Sequence, residues 1–182
     1  TLARAAPLIA RGARPQTSPL PLTREISMRS PFSFGAFPSW KRVFEDKSKA
    51  AQAAVYRDPG FRSQFREELK RPAAFGNWAR ITLHEVRNPG LKALEGLSVE
   101  EISRKQNKDP VDAFLDVTLA DDLECEFTMQ SFNTRVDRMT EILNDRSFLI
   151  GLGDGGAHVD MLCDCGYPTY VLGTWVRERG AL

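Results

Sequence analysis

Apolar residues recur along this chain in two rhythms, one of three to four residues and one of two, and the switches between them set out its elements. Residues 1–11, TLARAAPLIAR, read as a helix that stops near Gly12. Residues 13–22 follow as an extended segment, because Pro15, Pro19 and Pro21 each fix φ and remove an amide donor. Residues 23–37 read as a loop carrying an aromatic patch at Phe32, Phe34 and Phe37. Ser39 is placed to cap a helix through Trp40, Val43 and Phe44, and Ala50 to Tyr56 extends the helical region. Asp58-Pro59 opens another helix, since Asp caps and Pro suits a first turn. Phe61, Phe65 and Leu69 give it one apolar face, and Arg71-Pro72 ends it.

The rhythm then changes. Trp78 to Val86 alternates and is rich in strand formers, so it reads as a strand closed by the turn Asn88-Pro89-Gly90. Ser98 and Glu101 have capping-box spacing for a short helix to Gln106. Asp109-Pro110 begins the next helix, with Val111, Phe114, Leu115 and Leu119 inward. Glu124 to Gln130 reads as a further strand, or as a loop lined by Cys125, Phe127 and Met129. Asn133 is placed to cap a helix whose face carries Val136, Met139, Ile142 and Leu143. Phe148 to Leu152 is a short continuous apolar run, the pattern of a strand buried on both faces. Pro168 introduces a last helix containing Tyr170, Val171, Trp175 and Val176.

Strands alternating with helices predict an α/β fold built from parallel βα units. Three or four strands are visible, whereas a closed (β/α)8 barrel needs eight and typically about 250 residues. The chain is therefore expected to be a small open sheet or a part of a barrel, in a single domain spanning residues 1–182. It starts without Met and in mid-pattern, which points to sequence upstream.

Composition narrows the function classes. An apolar fraction of 42% and a charged fraction of 27% are ordinary for a soluble globular chain, and cysteines without a disulfide pattern make a cytoplasmic protein the expectation. The net charge of +1 gives no electrostatic case for nucleic acid or an anionic membrane. No apolar run approaches the roughly 20 residues that cross a bilayer. Three cysteines, Cys125, Cys163 and Cys165, make no disulfide framework. They read as reduced thiols, with Cys163 and Cys165 as small buried residues.

The chemistry concentrates in FLIGLGDGGAH, residues 148–158. An apolar strand runs into a carboxylate, two glycines and a histidine. In parallel sheets ligand-binding residues gather at the carboxyl ends of strands. Asp154 stands just past such an end. Gly153, Gly155 and Gly156 allow a tight turn and the close approach of a ligand. A carboxylate there can bind a divalent metal or take a proton from an acidified water. The plainer reading of the spacing is that Asp154 caps the turn and the glycines serve the turn alone. The segment lacks the Lys-Ser/Thr of a phosphate loop and the GxGxxG spacing of a dinucleotide site.

DGGAHVDMLCDCGYPTYVLGTWVRE resembles the end of the barrel in the amidohydrolase superfamily, in the branch of N-acyl-D-amino-acid deacylases. PFSFGAFPSW, the Trp-led strand and LEGLSVEEISRKQNKDPVDAFLD agree with that branch. The resemblance implies a partial metal-dependent (β/α)8 barrel, truncated at both ends, that hydrolyses an N-acylated small molecule with a zinc-activated water. It implies one or two Zn2+ ions, held mostly by residues outside this chain. Asp154 would be a metal ligand and general base. His158, Gly155 and Gly156 would contact substrate, with His158 orienting either substrate or Asp154.

The chain departs from the family at instructive places. Gly153 stands where the family more often has Ser. The HxH motif of the first strand is absent, and the only histidines are His84 and His158. His84 ends a strand but matches no ligand, so it reads as a surface histidine. Asp160 and Asp164 read as solvated or capping carboxylates, and nothing singles out Arg87 or Arg177 for a substrate carboxylate. A non-catalytic α/β domain that has lost its metal site stays open. So does an interaction module using Phe32, Phe34, Phe37 and Trp40. Exposed strand edges are expected to favour self-association.

Overall fold

The computed structural model describes residues 2–70, 77–151, 153 and 165–182. In chain order its elements are helix α1 (Leu2–Ala10), strands β1 (Gln16–Thr17) and β2 (Leu22–Ser27), helices α2 (Lys41–Glu45), α3 (Lys49–Arg57) and α4 (Pro59–Leu69), strand β3 (Ile81–Glu85), helices α5 (Val99–Gln106) and α6 (Pro110–Ala120), strand β4 (Glu126–Phe132), helix α7 (Val136–Asn144), strand β5 (Leu149–Ile150) and helix α8 (Tyr167–Tyr170). A π-helical segment, Val171–Glu178, continues α8. Contacts divide the chain into two compact units: Thr1–Thr23 with Gln130–Leu182, and Arg24–Met129.

In the second unit the helix starts follow from residue type. Asp58 accepts from the Gly60 amide at 2.8 Å and Asp109 from the Val111 amide at 2.9 Å, each ahead of a proline that has no amide to satisfy. Ser98 and Glu101 close a capping box at α5. Helix α5 ends on Asn107 in the left-handed region, a conformation an asparagine tolerates. The chain leaves α6 through two consecutive left-handed residues, Asp122 (φ 54) and Leu123 (φ 63). The Leu123 amide donates to the Thr118 carbonyl at 2.8 Å, and the Leu123 side chain is buried.

An aromatic core fills this unit. Phe34 stacks on Trp40 with centroids 3.9 Å apart, and Phe61 and Phe65 meet the indole edge-on. Helices α4 and α6 are also tied by charge. The guanidinium of Arg62 donates to Asp112 and Asp116, both at 2.8 Å, and its Nε donates to the Tyr56 carbonyl.

The sheet of the second unit has the order β2-β4-β3. β3 and β4 run antiparallel, with Ile81 opposite Met129 and Leu83 opposite Phe127. Parallel neighbours were expected here. Both strands instead alternate, burying Ile81, Leu83, Phe127 and Met129 on one face only, and an antiparallel pair suits a sheet whose other face is polar.

The first unit holds the other sheet, two strands pairing in parallel: Gln16 with Leu149 and Thr17 with Ile150. Its small described core is Met139, Leu143 and Trp175. The molecule is thus mixed α/β with two small sheets.

Several local expectations are corrected. β2 occupies Leu22–Ser27 where a loop was expected, because LTREIS alternates and puts Ile26 in the core. Trp78–Arg80 is a 3-10 turn, and the strand begins at Ile81. Ser39 caps nothing: it is buried, and its hydroxyl and amide both donate to Glu68. Ser48 caps α3 instead. Asn133 does not cap α7; Arg135 precedes that helix with no side-chain cap. Leu149 is 48% exposed, so β5 is not buried on both faces as its apolar run suggested.

Candidate functional site

Asp154, Gly155, Gly156 and His158 lie outside the described residues, as do Asp160, Cys163 and Asp164. What is described is the frame that leads into and out of that segment. The Leu149 amide donates to the Pro15 carbonyl at 2.8 Å and the Gly151 amide to the Thr17 carbonyl at 3.2 Å. This ladder brings the carboxyl ends of β1 and β5 to the same place. Beyond Ile150 the chain passes through Gly151 and Gly153 toward Asp154 in sequence; beyond Thr17 it enters Ser18-Pro19-Leu20.

Three side chains gather at this end. Asn133 takes the left-handed region (φ 57) and its Nδ2 donates to the Ser18 carbonyl at 3.0 Å and the Leu20 carbonyl at 3.3 Å. Trp175, buried within the π-helical segment, donates from Nε1 to the Pro19 carbonyl at 3.0 Å. The Tyr167 hydroxyl lies 3.8 Å from where a Cβ on Gly151 would stand. Cys165 just before it is exposed, which corrects the expectation of a buried thiol. Sequence reading missed the roles of Asn133 and Trp175, because their partners lie more than a hundred residues away. A tryptophan with a polar edge on an otherwise apolar face was the available signal.

His84 and Arg87 belong to the second unit. His84 is exposed at a bulge in β3, where Leu83 faces Phe127 and Glu85 faces Glu126. The surface reading of His84 agrees with this. Arg87 pairs with Glu85 at 2.9 Å while its backbone amide donates to the buried carboxylate of Asp121. Among the described residues no group of three or more His, Cys, Asp or Glu could hold a metal ion. Phe34 and Trp40 are fully buried, which counts against an interaction patch built on them, although Phe32 is exposed. Cys125 is buried against Thr118, and burial pushes its thiol up to about 12, away from the thiolate form that a nucleophile needs. No helix among the described residues is long and apolar enough to cross a membrane. The chain matches no protein-family model, no curated protein and no solved structure.

Proposed function

We propose that this chain is the C-terminal part of a metal-dependent amidohydrolase barrel, similar to the N-acyl-D-amino-acid deacylases, and that it hydrolyses the amide bond of an N-acylated amino acid. One observation carries the reading. The sequence enters GDGGAH from the carboxyl end of β5, a strand paired in parallel with β1, and that end is where α/β sheets bind ligands. The second unit interrupts the first between these two neighbouring strands. A connection between parallel strands must be long, and this one holds a whole insertion. The antiparallel pair β3–β4 belongs to that insertion, so it does not break a parallel barrel to which β1 and β5 would contribute.

A catalytic zinc usually takes three protein ligands. The described residues do not fit such a centre by themselves. Under this reading, one or two ions are held mostly by residues outside these 182 positions, with Asp154 as this chain's contribution. The metal would supply an acidified water. A carboxylate oxygen of Asp154 accepts the proton of the attacking water and passes it to the leaving nitrogen, as oxygen bonds to the acyl carbon and the C–N bond breaks. His158 orients substrate or Asp154, and Gly155 and Gly156 let the substrate come close to the backbone.

The test is Asp154→Asn in the protein as its own cells make it, assayed on N-acetyl amino acids of both hands. Positioned proton transfer contributes about 10²- to 10⁴-fold, and a loss of that order is expected. Near-parental turnover would overturn the assignment. The isolated 182-residue chain should bind zinc poorly; tight stoichiometric binding by it would contradict the shared centre. The second reading is a non-catalytic α/β domain. It draws on a chain with two histidines, one of them exposed on β3. It requires that the native protein contain no metal and turn over no acylated substrate.

A further inference from the structure

Resting on the hydrolase reading, we propose that Trp175 and Asn133 are positioning residues for the reaction, acting through the rim Ser18-Pro19-Leu20 at the carboxyl end of β1. The rim has few bonds of its own: Pro19 and Pro21 have no amide to donate, and its local bonds are long, from the Thr17 hydroxyl to the Ser18 carbonyl at 3.4 Å and from the Leu20 amide to the Ser18 hydroxyl at 3.3 Å. Donors from far along the chain add to these. Three successive carbonyls receive them: Ser18 and Leu20 from the Asn133 carboxamide, and Pro19 from the Trp175 indole. Trp175 is only 3% exposed, so its bond is shielded from water, where a hydrogen bond is electrostatically stronger.

Both donors are held in uncommon backbone. Asn133 lies in the left-handed region, and Trp175 sits in an eight-residue π-helical segment. π-helical turns are rare and concentrate at functional sites. The rim they hold starts beside Gly151, through the bond from the Gly151 amide to the Thr17 carbonyl. Loops at this end of a parallel sheet contact the ligand. A rim displaced by about 1 Å would misplace substrate at the cost of roughly 10²-fold in rate. A clamp serving the fold alone would lower thermal stability and leave the rate per folded molecule intact.

Two replacements, introduced at the gene's own locus, separate these cases. Trp175→benzothienylalanine keeps the ring shape and removes the N–H donor. Asn133→Asp tolerates a positive φ and removes the amide donor. For each, kcat and KM on N-acetyl amino acids, metal content and Tm are measured beside Asp154→Asn. We expect kcat to fall about tenfold or more, with KM within about twofold and metal content unchanged. Parental kcat in both variants, with or without a lower Tm, overturns the positioning role; if Asp154→Asn is still inactive, the hydrolase reading stands. A parent that hydrolyses none of these substrates, matched by Asp154→Asn, overturns the hydrolase reading and this proposal with it.

Discussion

Asp121 and Cys125, four residues apart in the second unit, show how burial decides what a side chain can do. Asp121 is 3% exposed, and its carboxylate accepts from the amides of Arg87 at 2.9 Å and Asn88 at 2.5 Å. Removing it leaves two amides without their acceptor, so Asp121→Ala should lose about 2–4 kcal/mol, read as a lower urea midpoint with an unchanged slope. The Cys125 thiol, raised by burial, should resist iodoacetamide at pH 8 in the native state. Exposed Cys165 should react, and peptide mass spectrometry separates the two. Equal labelling rates would mean that the region around Cys125 opens readily. Leu123 combines two conflicting demands: a left-handed backbone that glycine would ease by about 1–2 kcal/mol, and a buried side chain whose removal costs about 3–4 kcal/mol. Leu123→Gly should therefore still destabilise, by about 2 kcal/mol on the same measurement.

At the scale of elements, what was legible in the sequence was what short-range chemistry determines. Asp58-Pro59, Asp109-Pro110 and the Ser98–Glu101 box open α4, α6 and α5, since each cap acts within three residues. Ser39 and Asn133 were misassigned for the converse reason: both are good caps locally, but their partners are Glu68 on α4 and the rim after β1. No local pattern predicts such pairings. Candidate chemistry was legible only through GDGGAH and its resemblance, while the long-range bonds by which Asn133 and Trp175 hold the segment after β1 were not.

The α4–α6 contact gives a pH prediction. Although partial burial raises the Asp116 carboxyl, its bonds to Lys108 and Arg62 outweigh that and hold it below its ordinary value of 3.8. A depressed carboxyl contributes stability above its unfolded value and loses it as pH falls through the folded one. Asp116→Asn should lose about 1 kcal/mol near pH 6, kept small by solvent screening. As pH falls past 3.8 and through the lowered folded-state value, variant and parent should converge. A constant gap in chemical denaturation across that range would show that the charge pairing is not the source.

For the whole molecule, the contrast is between the two units taken separately. The second has an extensive apolar core around Phe34, Trp40, Phe65 and Phe114. The first has a described core of three side chains, and it carries all the exposed large apolar residues described except Phe32. Local stability follows buried apolar contact. Hydrogen exchange should therefore find the amides of α4, α6 and β3 protected long after those of β1 and β5 have exchanged. The reverse order would mean that other parts of the protein cover the first unit.

The parallel pairing of Thr17 with Ile150 also sets a timetable for synthesis. β1 leaves the ribosome roughly 130 residues before its partner, a wait of about 7–25 seconds at ordinary elongation rates. All of the second unit emerges in that interval and has time to fold. While the second unit is already complete, β1 therefore lacks this partner, and the edge that β5 will cover stays open to chaperones, or to the strands of a neighbouring chain, until β5 is made.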